Sequence, residues 1–357
     1  MSAPAWARGE RRSPLFTRRP AAVSFSNFRR ERPKNNNGSR SESVASKERG
    51  SWLDKYLLSL TIHIVRALPD RAALSFGAFL GRVLRLFSRR RVDRAERRCV
   101  AALGMGVTPA REIIRSAYAN VGRSAVDFVR MRQLLPRLRE LVSIEGKEHL
   151  DEALARGRGA LVMTGHIGSW ELAGARLVAE GYSVACIYTP QRNRGGAGDF
   201  VERQRSETAG MEMISSRGFG LRRAFEVLRG HGILIFLQDM DARKEGICVP
   251  FMGMPASTAT GIVKMHEKFG APVVPMVAVR NPDRYHHTLR AWGILSDLPD
   301  EGGEPFGTNM AKSLRMCNNI LGGWIGTYPD QWMWLVDRWE FAERQWRQGK
   351  NVADAGS

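Results

Sequence analysis

The stretch Gly159-Ala160-Leu161-Val162-Met163-Thr164-Gly165-His166-Ile167-Gly168-Ser169-Trp170-Glu171 sets the fold class of this chain. A short apolar run bounded by glycines reads as a buried strand, and Trp170 to Glu180 then recurs at helical spacing. The same alternation continues downstream. Tyr182 to Tyr188 reads as a strand, Asp199 to Ala209 and Leu221 to Leu228 as helices, and Gly232 to Leu237 as a second buried strand. Thr258 to Phe269 follows as a helix, Pro272 to Val279 as a strand and Tyr285 to Trp292 as an edge strand. Strands alternating with helices predict an α/β fold with a largely parallel central sheet flanked by helices. Ligands of such sheets bind beyond the carboxyl ends of the strands.

Three polar clusters fall at those ends. The first holds His166 and, five positions on, Glu171. On one continuous helix a five-residue offset is about 140° around the axis, so the pair would diverge. They converge only if His166 lies in a turn and Glu171 on the first helical turn. A histidine oriented by a carboxylate is a general base able to activate a hydroxyl. The second cluster is Ser215-Ser216-Arg217-Gly218-Phe219-Gly220, where an arginine precedes a helix and suits phosphate recognition. The third is Gln238-Asp239-Met240-Asp241. Its two acids fit a metal, a basic partner or an acceptor group, and the lack of a third ligand at convincing spacing argues against a metal. After it, Val249 to Thr258 reads as an apolar loop ending in Ser257 or Thr258 as a helix cap, with Phe251, Met252 and Met254 candidates for an acyl-chain groove or for core.

The first half of the chain is organised by charge. The 357 residues carry a formal net charge of +19. Residues 1–50 hold twelve Lys and Arg against four Glu, and residues 82–98 hold eight Arg against Asp93 and Glu96; together they supply +14. Residues 1–50 are expected to be a disordered basic tail: the stretch Arg29 to Gly50 is rich in Arg, Asn and Ser, with almost no apolar residues to offset the entropy of ordering. Residues 51–98 are expected to be an apolar and basic helical region. No window of about 20 uncharged apolar residues occurs there, which argues against a transmembrane span without deciding whether 51–88 spans or lies on a membrane. Two readings fit: an interfacial membrane anchor with arginines at the head groups, or helices packed on the following domain. Residues 99–346 form the α/β domain and 347–357 a flexible C-terminus. The scattered cysteines Cys99, Cys186, Cys248 and Cys317 disfavour a disulfide scaffold or a zinc ribbon. Five tryptophans between Trp324 and Trp346 fit either a membrane interface or aromatic core.

The Gly-His-x-Gly-x-Trp-Glu-Leu form at Gly165 to Leu172 resembles the bacterial lipid A late acyltransferases of the lysophospholipid acyltransferase superfamily; phosphatidylinositol mannoside acyltransferases share it. The resemblance covers roughly residues 52–346 and extends to Ser215-Arg217-Gly218, Asp239-Met240-Asp241, Gly246 through Gly261, and Gln331-Trp332-Met333-Trp334-Leu335. It departs where members often carry Trp-x-His-x-x-Trp-Lys, with Val336 and Glu340 at the His and Lys positions.

The resemblance implies a glycerol-phosphate-acyltransferase-like fold with an N-terminal membrane anchor. It implies His166 as base and Glu171 as its orienting acid, with Arg217, Gly218, Asp239, Asp241, Ser169 and Trp170 at the substrate. It further implies acyl carrier protein or acyl-CoA as donor, a lipid acceptor, an anionic membrane surface as partner, no metal and no cofactor, at the cytoplasmic face of a bacterial inner membrane. Nucleic acid is the competing partner for the charge, and the clustering of that charge in the tail and one helix end speaks against it. A lipase or thioesterase would be expected to show a Gly-x-Ser-x-Gly elbow, which is absent.

Overall fold

The computed structural model describes residues 59–188, 196–216 and 220–348. Arg217, Gly218 and the basic tail 1–50 lie outside them, as does most of the expected C-terminal segment 347–357.

Seven strands form one sheet in the order β1-β9-β8-β2-β5-β3-β4. They are β1 (Val142–Glu145), β2 (Ala160–Thr164), β3 (Val184–Tyr188), β4 (Glu212–Ser215), β5 (Ile233–Leu237), β8 (Val273–Arg280) and β9 (His287–Ala291). All neighbours are parallel except β8 and β9. Every residue of β2 and of β8 is buried. Both faces of a helix-flanked parallel sheet are covered, so its central strands are apolar throughout rather than alternating.

The segment 285–292 is not an edge strand. β9 lies between β8 and β1, and the edges are the four-residue β1 and β4, which expose part of each strand. Short edges limit unwanted pairing with other chains. The apolar loop 249–258 is also corrected: it is a hairpin of β6 (Ile247–Phe251) and β7 (Met254–Thr258). Met252 and Gly253 turn it with φ of 49° and 79°, the two positive angles a tight hairpin needs. Ser257 and Thr258 therefore belong to a strand, and the next helix begins at Gly261 after Thr260. Phe251 and Met254 are core residues.

A helix over 59–67 and the helix Asp70–Phe87 lie against Val107–Val129. The crossing is backbone on backbone. A Cβ at Gly122 would stand 2.0 Å from the Gly77 carbonyl oxygen, and one at Gly81 2.1 Å from that of Tyr118. Asp70 locks the crossing, accepting from Arg130 (2.6 Å), Arg137 (3.0 Å) and the Tyr285 hydroxyl (2.6 Å). The opposite side of the helix Asp70–Phe87 leaves Phe79 and Leu86 exposed, and its C-terminal end exposes Leu84 and Phe87, beside Arg82, Arg89, Arg90 and Arg91. Among the described residues no helix is long and apolar enough to cross a membrane. Arg94 and Arg98 leave the basic run for tertiary structure: both bind Asp337, and Arg98 also binds Glu343. Of the C-terminal tryptophans, Trp324, Trp332, Trp334 and Trp339 are core, and Trp346 reaches the surface.

Candidate active site

The turn after β2 carries His166 to the carboxyl edge of the sheet. Gly168 makes the turn possible: its φ is 59°, and a Cβ there would meet the Ala278 carbonyl oxygen at 2.0 Å. Ser169 then precedes the helix Trp170–Ala179. Across the turn runs the C-terminal segment Gln331–Met333. Gly168 N donates to Gln331 O (2.9 Å) and Met333 N to His166 O (3.0 Å).

The carboxylate on the imidazole is Asp239, from the loop after β5. Its Oδ1 lies 2.8 Å from His166 Nδ1, and its Oδ2 accepts from His166 N (2.7 Å) and Trp332 Nε1 (2.8 Å). Asp239 is fully buried, and burial alone would raise its pKa. The charge of His166 and the hydrogen bonds from the ring, the indole and the amide outweigh burial and hold it below the usual carboxylate value. An ionised Asp239 accepts the Nδ1–H hydrogen bond, which holds the ring proton on Nδ1 and leaves Nε2 as the free basic nitrogen. The His166 side chain keeps 16% of its surface open, with the Trp170 ring edge-on at 5.0 Å.

The pairing of His166 with Glu171 is thereby corrected. The turn feeds Glu171 into the first turn of its helix, where Arg205 binds both carboxylate oxygens and Trp170 Nε1 donates to one of them (3.0 Å). This pair sits at a small recess beside His166, also lined by Cys186, Met211, Ile235 and Leu237. Asp241 stands apart. It accepts from Arg243 N (2.8 Å) and Phe341 N (2.7 Å), satisfying the start of the helix Glu340–Arg347. Burial raises its pKa against those two bonds. Ser169 is not open to a ligand: it is buried and donates to Asp127 Oδ2 (2.8 Å).

Behind the turn lies a polar network without counterpart in the sequence reading. Asp127 holds Ser169 and Arg280 (2.5 Å), Ser124 donates to Gly168 O (2.8 Å), and the Gln331 side chain exchanges two bonds with the Arg280 backbone. His287 is buried within it, 3.6 Å from Asp127, with Nδ1 unpartnered. Its burial pushes the pKa down from 6.5 to about 4. Between those values the unfolded chain binds a proton that the folded chain refuses, so stability falls as pH drops from about 6.5 to 4. The loss is about 3 kcal/mol. Denaturant midpoints measured across that window should fall, and a His287→Asn variant should lose most of the slope; an equal slope in the variant would exclude His287 as its source.

Arg338 ties the Trp332–Trp339 segment down. Fully buried, it donates to Ser257 O (2.5 Å), Thr258 Oγ1 (2.7 Å) and Asn318 Oδ1 (3.2 Å) and stands over the Phe251 ring.

The sequence profile described as "Bacterial lipid A biosynthesis acyltransferase" matches residues 42–340, which span the sheet, the turn, Asp239 and Trp332. The chain belongs to this family. It is an acyltransferase, with an acyl donor and a lipid acceptor as its reactants. Relatives of this acyltransferase carry both lipid classes in their names. A "Phosphatidylinositol mannoside acyltransferase" of Mycobacterium tuberculosis (strain H37Rv) is 26% identical over 292 residues, 77% of this chain and 85% of the relative. A "Lipid A biosynthesis acyltransferase" of Haemophilus influenzae is 22% identical over 295 residues, 80% and 86%. A "Lipid A biosynthesis palmitoleoyltransferase" of Escherichia coli is 24% identical over 278 residues, 76% and 86%.

Proposed function

We propose that this acyltransferase moves a fatty acyl chain from a thioester, on acyl carrier protein or coenzyme A, to a hydroxyl of a lipid A precursor. His166 Nε2 takes the proton of the acceptor hydroxyl. The oxygen attacks the thioester carbonyl, the C–S bond breaks, and the thiolate leaves with the proton that His166 returns. Asp239 orients the ring and stabilises the imidazolium as it forms. The observation that carries this reading is the partly open imidazole at the sheet's carboxyl edge, bonded through Nδ1 to a buried, triply bonded carboxylate. Glu171 shapes the wall beside it through Arg205. Arg217 and Gly218 are kept as phosphate-binding candidates on the family resemblance.

The protein works on the cytoplasmic face of a bacterial inner membrane, resting on it through the exposed apolar side of the helix Asp70–Phe87 and its flanking arginines. A second reading, acylation of a phosphatidylinositol mannoside or another glycolipid, is favoured by the mycobacterial relatives, whose identity of 26–27% exceeds that of the lipid A enzymes. Mass spectrometry of lipids from a deletion strain separates the two. The expected result is lipid A lighter by one acyl chain, restored by the wild-type gene and not by His166→Ala. A change confined to phospholipids or glycolipids would replace lipid A by the second reading, and full restoration by His166→Ala would remove the mechanism.

A further inference from the structure

Arginines gather on one flank of the catalytic turn without carboxylates to match. Arg82 follows Gly81 and Arg123 follows Gly122, at the close crossing where a Cβ on Gly122 would stand 3.1 Å from Gly81 N. Arg284 lies in the loop leaving the carboxyl end of β8, the edge of the sheet that carries His166. Its carbonyl accepts from Arg280 Nη1 (3.2 Å), which brings it to the Asp127 network behind the turn. Arg280 is neutralised by Asp127. Among the described residues, no ion pair joins Arg82, Arg123 or Arg284 to a carboxylate.

Arg123 is the telling member. It is 7% exposed, and its guanidinium donates to Asn120 Oδ1 (2.6 Å), a neutral partner. Burial comes first, followed by the like charges of Arg284, Arg280 and Arg82, in lowering its pKa to about 10. The acid that works against this is Asp330, whose carboxylate already accepts from Asn120 Nδ2 (3.1 Å). A buried cation facing other cations costs stability, and stability is commonly given up where a ligand supplies the missing charge.

We propose that Arg82, Arg123 and Arg284 form a binding site for a phosphate group of a membrane lipid. The neighbours select this ligand. Arg82 shares the exposed face of its helix with Phe79 and Leu86, three residues before and four after it, so the anion would sit at the foot of an apolar surface. Arg123 is only 7% exposed, so its guanidinium suits a compact anion better than the spread carboxylates of an acidic protein. The site lies close to the turn, since Ser124 holds Gly168 and Asn120 holds Asp330, next to Gln331. It draws on the acyltransferase reading only for why a lipid phosphate should be there.

The test uses the full-length protein with inorganic pyrophosphate and with vesicles of phosphatidylglycerol in phosphatidylcholine. Pyrophosphate should raise the thermal midpoint of the wild type. Arg123→Gln should raise the midpoint without ligand and abolish the response. The exposed substitutions Arg82→Gln and Arg284→Gln, which leave the core intact, should each weaken pyrophosphate on the order of tenfold. They should also weaken phosphatidylglycerol vesicle binding. Replacing Arg89, Arg90 and Arg91 by glutamine should weaken vesicle binding and leave the pyrophosphate response intact.

A lost pyrophosphate response with unchanged vesicle binding would assign the site to a soluble phosphate and overturn the lipid. An undiminished pyrophosphate response in all three single variants overturns the site. So does a defect confined to the KM of an acyl-carrier-protein donor, which would make the flank a protein dock. Failure of the His166 mechanism would appear instead as activity retained in His166→Ala, with the pyrophosphate response untouched.

Discussion

Asp239→Asn should reduce kcat for acyl transfer by roughly two to four orders of magnitude, the range a general base and its orienting charge supply. The side chain is isosteric, so the loss would reflect chemistry more than packing. Asp239 accepts three N–H bonds, two on Oδ2 and the third from the ring on Oδ1. An asparagine has one accepting oxygen and one donating nitrogen. Either its amide faces the His166 and Trp332 donors, or it faces Nδ1 and forces the proton onto Nε2, where the base is needed. Glu171→Gln should behave differently. Its partner Arg205 is held in the same wall, and losing the charge leaves that guanidinium poorly matched; removing one partner of a buried pair costs about 3–5 kcal/mol, and a glutamine that still accepts should cost less. The expected pattern is therefore a large fall in kcat with a small fall in thermal midpoint for Asp239→Asn, and the reverse weighting for Glu171→Gln. If Glu171→Gln abolishes kcat at unchanged midpoint while Asp239→Asn stays active, the two carboxylates have exchanged roles.

The other large effect lies far from the imidazole. Gly122→Val would place a branched side chain where a bare Cβ already stands 2.0 Å from a carbonyl oxygen. Backbone on both sides leaves nothing flexible to give way. The helices must separate, opening the packing of Val65, Ala73, Leu74 and Val126 and pulling Asp70 from its arginines. Overpacking typically costs about 1–3 kcal/mol, and the lost burial and ion pairs take this substitution to the upper end of that range or beyond. Proteolysis should then cut the 59–87 segment first. A variant as stable and as protease-resistant as the wild type would mean that the crossing adjusts more freely than its geometry allows.

The central strands were legible because they are buried on both faces: the runs Gly159 to Thr164, Gly232 to Leu237 and Pro272 to Val279 stand out in the sequence, and β8 extends the last of them by Arg280. The edge strands were not, since Val142–Glu145 and Glu212–Ser215 are four residues long with polar members and no periodicity to detect. The hairpin at Ile247–Thr258 was hidden by its prolines and by a Met252-Gly253 turn in place of the usual Asn-Gly signal. At the site, His166 and Asp239 each stood out at a strand end, but their union did not. Sequence proximity favoured Glu171, whereas β2 and β5 are spatial neighbours 73 residues apart in the chain, and only the sheet order brings Asp239 under the ring. Asp127, Arg205 and Arg280 gave no motif at all. They act through tertiary contacts, and a lone charged residue on a helix or at a strand end has no signature of its own. Trp332 lay in a block shared with the family, yet nothing in the sequence tied its indole to Asp239.

That indole contact bears on how the enzyme comes into being. The ring, the acid and the indole come from positions 166, 239 and 332, and the same C-terminal stretch bridges Ile167. During synthesis the base emerges long before the residues that close over it. A nascent chain ending short of position 332 would hold a histidine with an incompletely bonded acid and an uncovered turn. A fragment ending before position 332 is therefore expected to transfer acyl chains poorly, because assembly of the site waits for the segment that closes the turn and completes the hydrogen bonds of Asp239.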